Sequence, residues 1–328
     1  MNIAFLYEHP NWSDKLVSVL QQRIHGLKPI NVAELSFQTG EPCGFSAAIN
    51  RINIMPSATR LPEVAFQTQH YLNWLEQNGV RILNGYRAQV TGASKVMQNA
   101  IFSTLGLAHP KGMSIYRSED VPDAAEAIGY PVIIKPNIGG SGSGISFHGD
   151  QTALINSLAN GELDLGIDGT GLVQQYIRSD GFVYRVEVLG DTLFYSIKQP
   201  IIDGQFNYCA ADGCSINPVI ANPITENPIT ENQPVQTKQD FDFCALADTK
   251  PIEIHQPADA IVQQVIRIIK TAGADFGGVE YFIDQETGQP CFYDINPYSN
   301  FVSDGEALLG FSPEERFADF VCQALDLS

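Results

Sequence analysis

The chain has 328 residues, with 37 acidic against 19 basic side chains and a formal charge of −18. That length suffices for two or three domains with buried cores. The negative field excludes nucleic acid and anionic membrane as general partners, because any polyanion would have to be met by a local cluster of the few cations. No apolar run approaches the ~20 residues needed to span a bilayer, and MNIAFLYEHP has neither a basic n-region nor a small-residue cleavage site. A cytoplasmic protein is therefore expected. Cys43, Cys209, Cys214, Cys244, Cys291 and Cys322 include no CxxC pair and read as free thiols, not zinc ligands.

"NIAFLY" is a short apolar run suited to a buried parallel strand, and "SDKLVSVLQQRIHGL" has helical spacing with Ser13 at its predicted N-cap. "INVAELSF" and "FSAAINRINI" read as strands, 63–78 as a helix and "RILNG" as a short strand, giving an open α/β unit over residues 1–92. Tyr7, Glu8 and His9 either line a pocket at the end of the first strand or simply start a turn. "GASKVMQNAIFSTLGL" places Met97, Ile101 and Leu105 on one helical stripe, with Gly106 to end it. It leads into a small α+β unit, residues 93–177, containing "KGMSIY", an acidic helix, "YPVIIKP", a glycine run, "GISFHG", a helix near 151–159 and "GLVQQYI".

The last unit, residues 178–328, opens with a hairpin, "GFVYRVEVLGDTLFYSIKQP", turning at Gly190-Asp191. Residues 203–250 lack periodicity and contain the tandem "NPITENPITEN", which predicts a long flexible loop. A helix follows, with Ile261, Val262, Val265, Ile266 and Ile269 at helical spacing; then come the hairpin "GGVEYFIDQETGQPCFYDINP" and a last helix over 313–326. His148 and His255 read as polar surface residues.

Three constellations carry chemistry. In "YPVIIKPNIGGSGSGISFHG" the context is strand, glycine loop, strand, with Lys135 ahead of the glycines. A Walker A loop or a Rossmann fingerprint would open a helix, and the kinase lysine follows its loop. A lysine in a half-buried strand needs an anion to meet, so the run reads as a phosphate cradle, with a mobile linker as the alternative. In the C-terminal hairpin, period two places Glu280, Phe282 and Asp284 on one face, and Phe292 and Asp294 on one face with Asn296 in line. Two carboxylates and an amide at close range suit a hard cation such as Mg²⁺; a solvated polar face is the alternative. Finally, a two-residue turn at Gly190-Asp191 would place Arg185 and Lys198 on one face of adjacent strands, as for a shared phosphate, or as ordinary surface charge.

In this order the pattern resembles the ATP-grasp superfamily, and within it the glutathione-synthetase-like and RimK-like carboxylate–amine ligases. The resemblance implies an ATP-grasp fold, α/β in class and α+β overall, preceded by an N-terminal open α/β domain. It implies ATP and Mg²⁺, or Mn²⁺, as cofactors. Lys95 and Lys135 would contact the nucleotide, and Gly139, Gly140, Ser141, Gly142, Ser143 and Gly144 would close over its phosphates. Gln174, Gln175, Tyr176 and Ile177 would meet adenine, and Asp180 stands nearest to a ribose ligand. Glu280, Asp294 and Asn296 would hold the metal, and Arg185 and Lys198 would act catalytically on the reacting phosphate. The chain departs from the branch at Gln175 and Asp294, where glutamate is usual, and in "NPYSNFVSDGEALLGF" after the metal residues. The implied reaction joins a small, amino-acid-like carboxylate to an amine through an acyl phosphate, with small molecules as partners and a homo-oligomer left open. A phosphotransferase on the same fold and a ligase acting on a peptide or protein are the alternatives.

Overall fold

Pro10, whose fixed φ and missing N–H suit the first turn of a helix, begins α1 (Pro10–Arg23) directly after β1 (Ile3–Tyr7). Ser13 therefore lies inside the helix, and His9 takes the N-cap position instead. The computed structural model describes residues 2–53, 62–140, 142–201, 252–298, 300–302 and 304–327. The 203–250 segment with its tandem repeat, and Ser141, lie outside the described residues.

The second strand differs from expectation. β2 (Leu27–Asn31) ends where "INVAELSF" was to continue, because the Asn31 side chain accepts from the Ala33 N–H and turns the chain into a 3₁₀ turn. β3 (Ala47–Asn50), α2 (Glu63–Gln77) and β4 (Arg81–Leu83) complete a parallel sheet of order β2-β1-β3-β4. Ile3 and Phe5 pack towards α1, and Ala4 and Leu6 towards α2. Burial on both faces is why β1 reads as an unbroken apolar run.

α3 (Tyr86–Ala93) and α4 (Lys95–Thr104) follow. Within α4 the buried residues are Gln98 and Phe102, whereas Met97 of the expected stripe is 41% exposed. Gln98 is buried because it bonds backbone on two segments: Nε2 donates to Thr91, Gly92 and Ile295 carbonyls, and Oε1 accepts from the Ile295 N–H.

β5 (Gly112–Ile115), α5 (Val121–Ile128), β6 (Val132–Pro136), β7 (Ser146–His148), α6 (Gln151–Ala159) and β8 (Gly171–Gln175) make a small antiparallel sheet of order β5-β8-β6-β7, with α5 and α6 on one face. His148, expected at the surface, is buried beneath that layer with its ring hydrogen-bonded to Ser146 Oγ at 2.9 Å.

β9 (Phe182–Leu189), β10 (Thr192–Pro200), β11 (Glu253–Ile254), α7 (Asp259–Thr271), β12 (Phe276–Ile283) and β13 (Pro290–Asn296) form the large sheet, of order β11-β10-β9-β12-β13, with α7 on one face. α8 (Gly305–Leu309) and α9 (Pro313–Ala324) close the chain, and α9 packs with α1 in a core that the large sheet shares with the N-terminal sheet. Asn84, in the left-handed region at φ 57°, pins those two sheets. Its amide donates to the Phe276 and Pro297 carbonyls and accepts from the Asp275 and Phe276 N–H groups. Among the described residues no helix is long and apolar enough to cross a membrane.

Candidate active site between the small and large sheets

Strand register decides which side chains meet. In the large sheet Arg185 on β9 pairs with Glu280 on β12, which pairs with Asp294 on β13. One step along, Glu187, Gly278 and Asn296 lie in the next row of the same face. Opposed residues of an antiparallel pair share a face, so the expected Glu280, Asp294 and Asn296 group is assembled. Asn296 Nδ2 lies 3.2 Å from Asp294 Oδ2 and 3.4 Å from Glu280 Oε1.

Two irregularities correct the expected faces. A register shift between Leu193 and Tyr195 sets Ile197 opposite Arg185 and Lys198 opposite Tyr184. A one-residue slip exchanges the faces of every later residue, so Lys198 lies on the opposite side of the sheet from Arg185. There it pairs with Glu253 and stands 4.8 Å from the Phe182 ring. A second shift, between Glu280 and Tyr281, sends Phe292 into the α7 core and makes Tyr293 the extra residue of β13. Tyr293 then donates its hydroxyl to Glu280 Oε2 at 2.7 Å.

Two cations oppose this row, one from α4 and one from the small sheet. Lys95, the first residue of α4, is ion-paired with Asp294 through its ammonium. Lys135 on β6 is buried, and burial together with the neighbouring Lys95 charge lowers its pKa to about 8, against the pull of Asp294 and Glu280. Asn137 ties these two lysines' segments together. Its Oδ1 accepts from Ser94 Oγ and the Val96 N–H, and its carbonyl accepts from the Lys95 N–H. In the glycine run, Gly142 and Gly144 have φ of 72° and 70°, and a Cβ on Gly144 would stand 2.6 Å from Pro136. Gly139, Gly140 and Ser143 belong to the same turn, with the Ser143 N–H donating to Gly140 O.

The expected adenine strand ends at Gln175, leaving Tyr176 and Ile177 beyond the sheet. Gln174 is buried with its side chain directed to Asn99, and the Gln175 and Tyr176 N–H groups donate to the Lys111 and Pro131 carbonyls. Asp180 accepts from the Tyr184 hydroxyl at 2.7 Å, on the Lys198 side of the sheet and away from the carboxylate row.

Burial, followed by the Asp294 charge, pushes the Glu280 carboxyl up to about 7 against Arg185, the Tyr293 bond and Lys95. A donor set of two carboxylates and an amide that holds a proton near neutrality fits a hard divalent cation, which would replace that proton. No cluster of three or more His, Cys, Asp and Glu side chains is present among the described residues, so a cation here would take further ligands from phosphate and water. Because the folded protein holds the Glu280 proton more tightly than the unfolded chain, metal-free stability falls as pH rises from about 4.5 towards 7. Cation-dependent nucleotide affinity should rise over the same approach to 7, then decline above about 8 as Lys135 loses its charge. Calorimetric titration of Mg-ADP between pH 6 and 9.5 checks this window; affinity independent of pH would contradict it.

Glu187, Arg51 and the cleft beside them were not singled out in the sequence. Arg185 bonds Glu187 through its guanidinium, and both are buried. Burial works against the Arg185 charge, but Glu187 first, then Tyr195 and Glu280, outweigh it and keep it protonated. Arg51, just past β3, lies 5.0 Å from the Phe301 ring centre, 5.5 Å from Phe317 and 5.7 Å from Phe276. Burial lowers its pKa to about 10 although Glu187 opposes the shift. A narrow cleft of about 10 Å³, room for little more than a water molecule, is lined by Glu8, His9, Ser13, Leu16, Arg51, Asn53 and Asn300. Arg185 Nη2 donates to Asn300 O at 3.2 Å, joining the cleft to the carboxylate row. Both alternatives for this stretch hold in part: Tyr7 ends β1 and His9 stands at the N-cap of α1, while Glu8 and His9 line the cleft. Glu187 alternates with Arg185 on one strand, so period two could have found it; Arg51 left no local signal.

Residues 94–190 match the family model described as the carbamoyl-phosphate synthase L chain, ATP binding domain. A probable alpha-L-glutamate ligase of Pseudomonas aeruginosa (strain UCBPP-PA14) is 28% identical over 221 residues, 63% of this chain and 70% of the relative. Among solved structures, a RimK domain protein ATP-grasp from Sphaerobacter thermophilus superposes with a TM-score of 0.64 at 17% identity, covering 98% of this chain and 99% of that one. The ATP-grasp ligase PsnB, complexed with a phosphomimetic variant of its minimal precursor, Mg and ADP, superposes at 0.62 with 14% identity and 99% coverage of both chains. At these identities the likeness to the solved structures is one of fold.

Proposed function

We propose that this chain, which belongs to the ATP-grasp superfamily and is an ATP-dependent carbon–nitrogen ligase, joins a small, amino-acid-like carboxylate to an amine through an acyl phosphate. The observation that carries the reading is the apposition of Lys95 and Lys135, from one side, with the Glu280, Asp294 and Asn296 row of the large sheet. Phosphates between two such surfaces would meet ammonium groups from one side and a carboxylate-bound cation from the other.

ATP would lie with its phosphates against Lys95, Lys135 and the glycine run at 139–144, and its base by the 174–177 strand end. Glu280, Asp294 and Asn296 would hold Mg²⁺ or Mn²⁺, whose contribution when bound is to neutralise charge on the phosphate oxygens. The substrate carboxylate oxygen attacks the γ-phosphorus, the bond to the β–γ bridging oxygen breaks, and ADP leaves. The amine nitrogen then attacks the acyl carbon, the carbon–oxygen bond to phosphate breaks, and the amine proton is lost as inorganic phosphate departs. Arg185, held rigid by Glu187, would stabilise charge developing on the transferred group; fixed, desolvated donors of this kind supply most of the acceleration in phosphoryl transfer.

Lys198 has no part in these steps, because its face is turned away. Glu8 and Arg51, of opposite sign, both line the cleft beside this row, and the reading places the polar groups of the substrate at its mouth. The test is an ADP- and phosphate-release screen of amino acids against amines, scored by mass spectrometry for the coupled product. A coupled product with ADP supports ligation. AMP release, or a stable phosphorylated acid that forms without amine, contradicts it.

A further inference from the structure

β13 has one residue more than β12 where the two carboxylates meet: Glu280 pairs with Asp294 and Tyr281 with Phe292. Strict alternation from Asp294 would turn Tyr293 away from the site. The bulge re-aims it, as bulges beside functional sites commonly do. The Tyr293 ring stacks on Phe282 with centroids 5.5 Å apart, and its hydroxyl donates to Glu280 Oε2 at 2.7 Å. The other oxygen, Oε1, faces Asn296, which in turn faces Asp294. The two oxygens of Glu280 are thus divided between a phenol and the cation-binding side.

We infer that Tyr293 is a positioning residue that makes Glu280 a one-oxygen ligand, and so sets the preference of the site for Mg²⁺ or Mn²⁺ over Ca²⁺. This rests on the reading of Glu280, Asp294 and Asn296 as cation ligands. Ca²⁺ gathers about six to eight oxygens and readily takes a carboxylate through both of its own, whereas Mg²⁺ demands a small, near-octahedral set. A carboxylate oxygen that already accepts from a phenol is less basic and fixed in direction, so it is a poorer second ligand than the free oxygen. Hydrogen-bond partners behind a metal ligand characteristically contribute about 10- to 100-fold to metal affinity.

Tyr293→Phe keeps the ring and its stack and removes only the hydroxyl. With the full chain at saturating ADP, Mn²⁺ binding is followed by electron paramagnetic resonance of the free ion, and Ca²⁺ binding by competition. The variant should bind Mn²⁺ about 10-fold more weakly and lose a comparable factor in the Mn²⁺/Ca²⁺ ratio, with its melting temperature and metal-free ADP affinity unchanged. An unchanged ratio in the folded variant overturns the inference and leaves Tyr293 a packing residue. If that variant does not fold, Phe282→Leu, which frees the ring but keeps the hydroxyl, is read in the same way. Wild-type protein that binds no Mn²⁺ would overturn the cation site itself, and the proposed function with it.

Discussion

Asp294→Asn should lower ADP formation by about 10²- to 10³-fold, the scale on which single preorganised charge-stabilising groups act. The substitution is nearly isosteric, and two consequences follow from the geometry. The amide is a poorer ligand for a hard cation than the carboxylate it replaces, and the Lys95 ammonium loses its ion pair. The side chains of that pair are 13% and 18% exposed, so Lys95 can rehydrate, and the variant should remain folded. Steady-state ADP release in the presence of the coupled acid and amine measures the loss; circular dichroism melting confirms the fold. Turnover within a factor of three of wild type would show that Asp294 holds no cation during the reaction. Raising Mn²⁺ should restore part of the rate if the defect lies in cation affinity, and none of it if the chain has merely rearranged.

The second large effect is on stability. Glu187 is the carboxylate beside Arg185 and Arg51; Arg185 and Glu187 are buried and Arg51 is half-buried. Removing one partner of a buried ion pair leaves an uncompensated charge and costs about 3–5 kcal/mol. Glu187→Gln, which takes the hydrogen-bonded carboxylate from the buried Arg185 guanidinium, should therefore be destabilising on that scale. Arg185→Met should cost less, because Arg51 still faces Glu187. Denaturant unfolding monitored by circular dichroism ranks the two; the reverse order would mean that Arg51 does not share Glu187. Gly278 belongs to the same arrangement, since a Cβ there would stand 2.4 Å from Glu187 Oε1. Its missing side chain makes the space in which that carboxylate lies over the sheet.

Much of the chemistry was legible before any fold was known. Lys135 ahead of its glycines, Glu280 on one strand of a hairpin, and Asp294 and Asn296 two residues apart on the other, are local patterns. Paired carboxylates and a buried strand lysine are costly for a protein to keep without a charged ligand, and that cost makes them informative in one dimension. Lys95 on a helix and Lys135 on a strand lie where they were read, and the fold sets both beside the carboxylates. The residues that were missed reach the site from a distance. Arg51 comes from the N-terminal sheet, and Gln98 pins β13 from a helix 197 residues earlier in the chain.

Two residues placed on the wrong face of the large sheet share one cause. Lys198 and Phe292 were assigned by unbroken alternation, but β10 and β12–β13 each contain a bulge. A bulge reflects how a twisted sheet meets its neighbours, and no residue type at Phe194 or Tyr293 announces it. Local spacing was sufficient to single out Lys135, the glycine turn and the Glu280, Asp294 and Asn296 group, because each reading depends on a few neighbouring residues. Which cations share a face with Glu280, what fixes Arg185, and how Glu8 and Arg51 come to line one cleft depend on strand register and on the packing of one sheet against another. Those are contacts between segments far apart in the chain, and their energies are written in no single stretch of it.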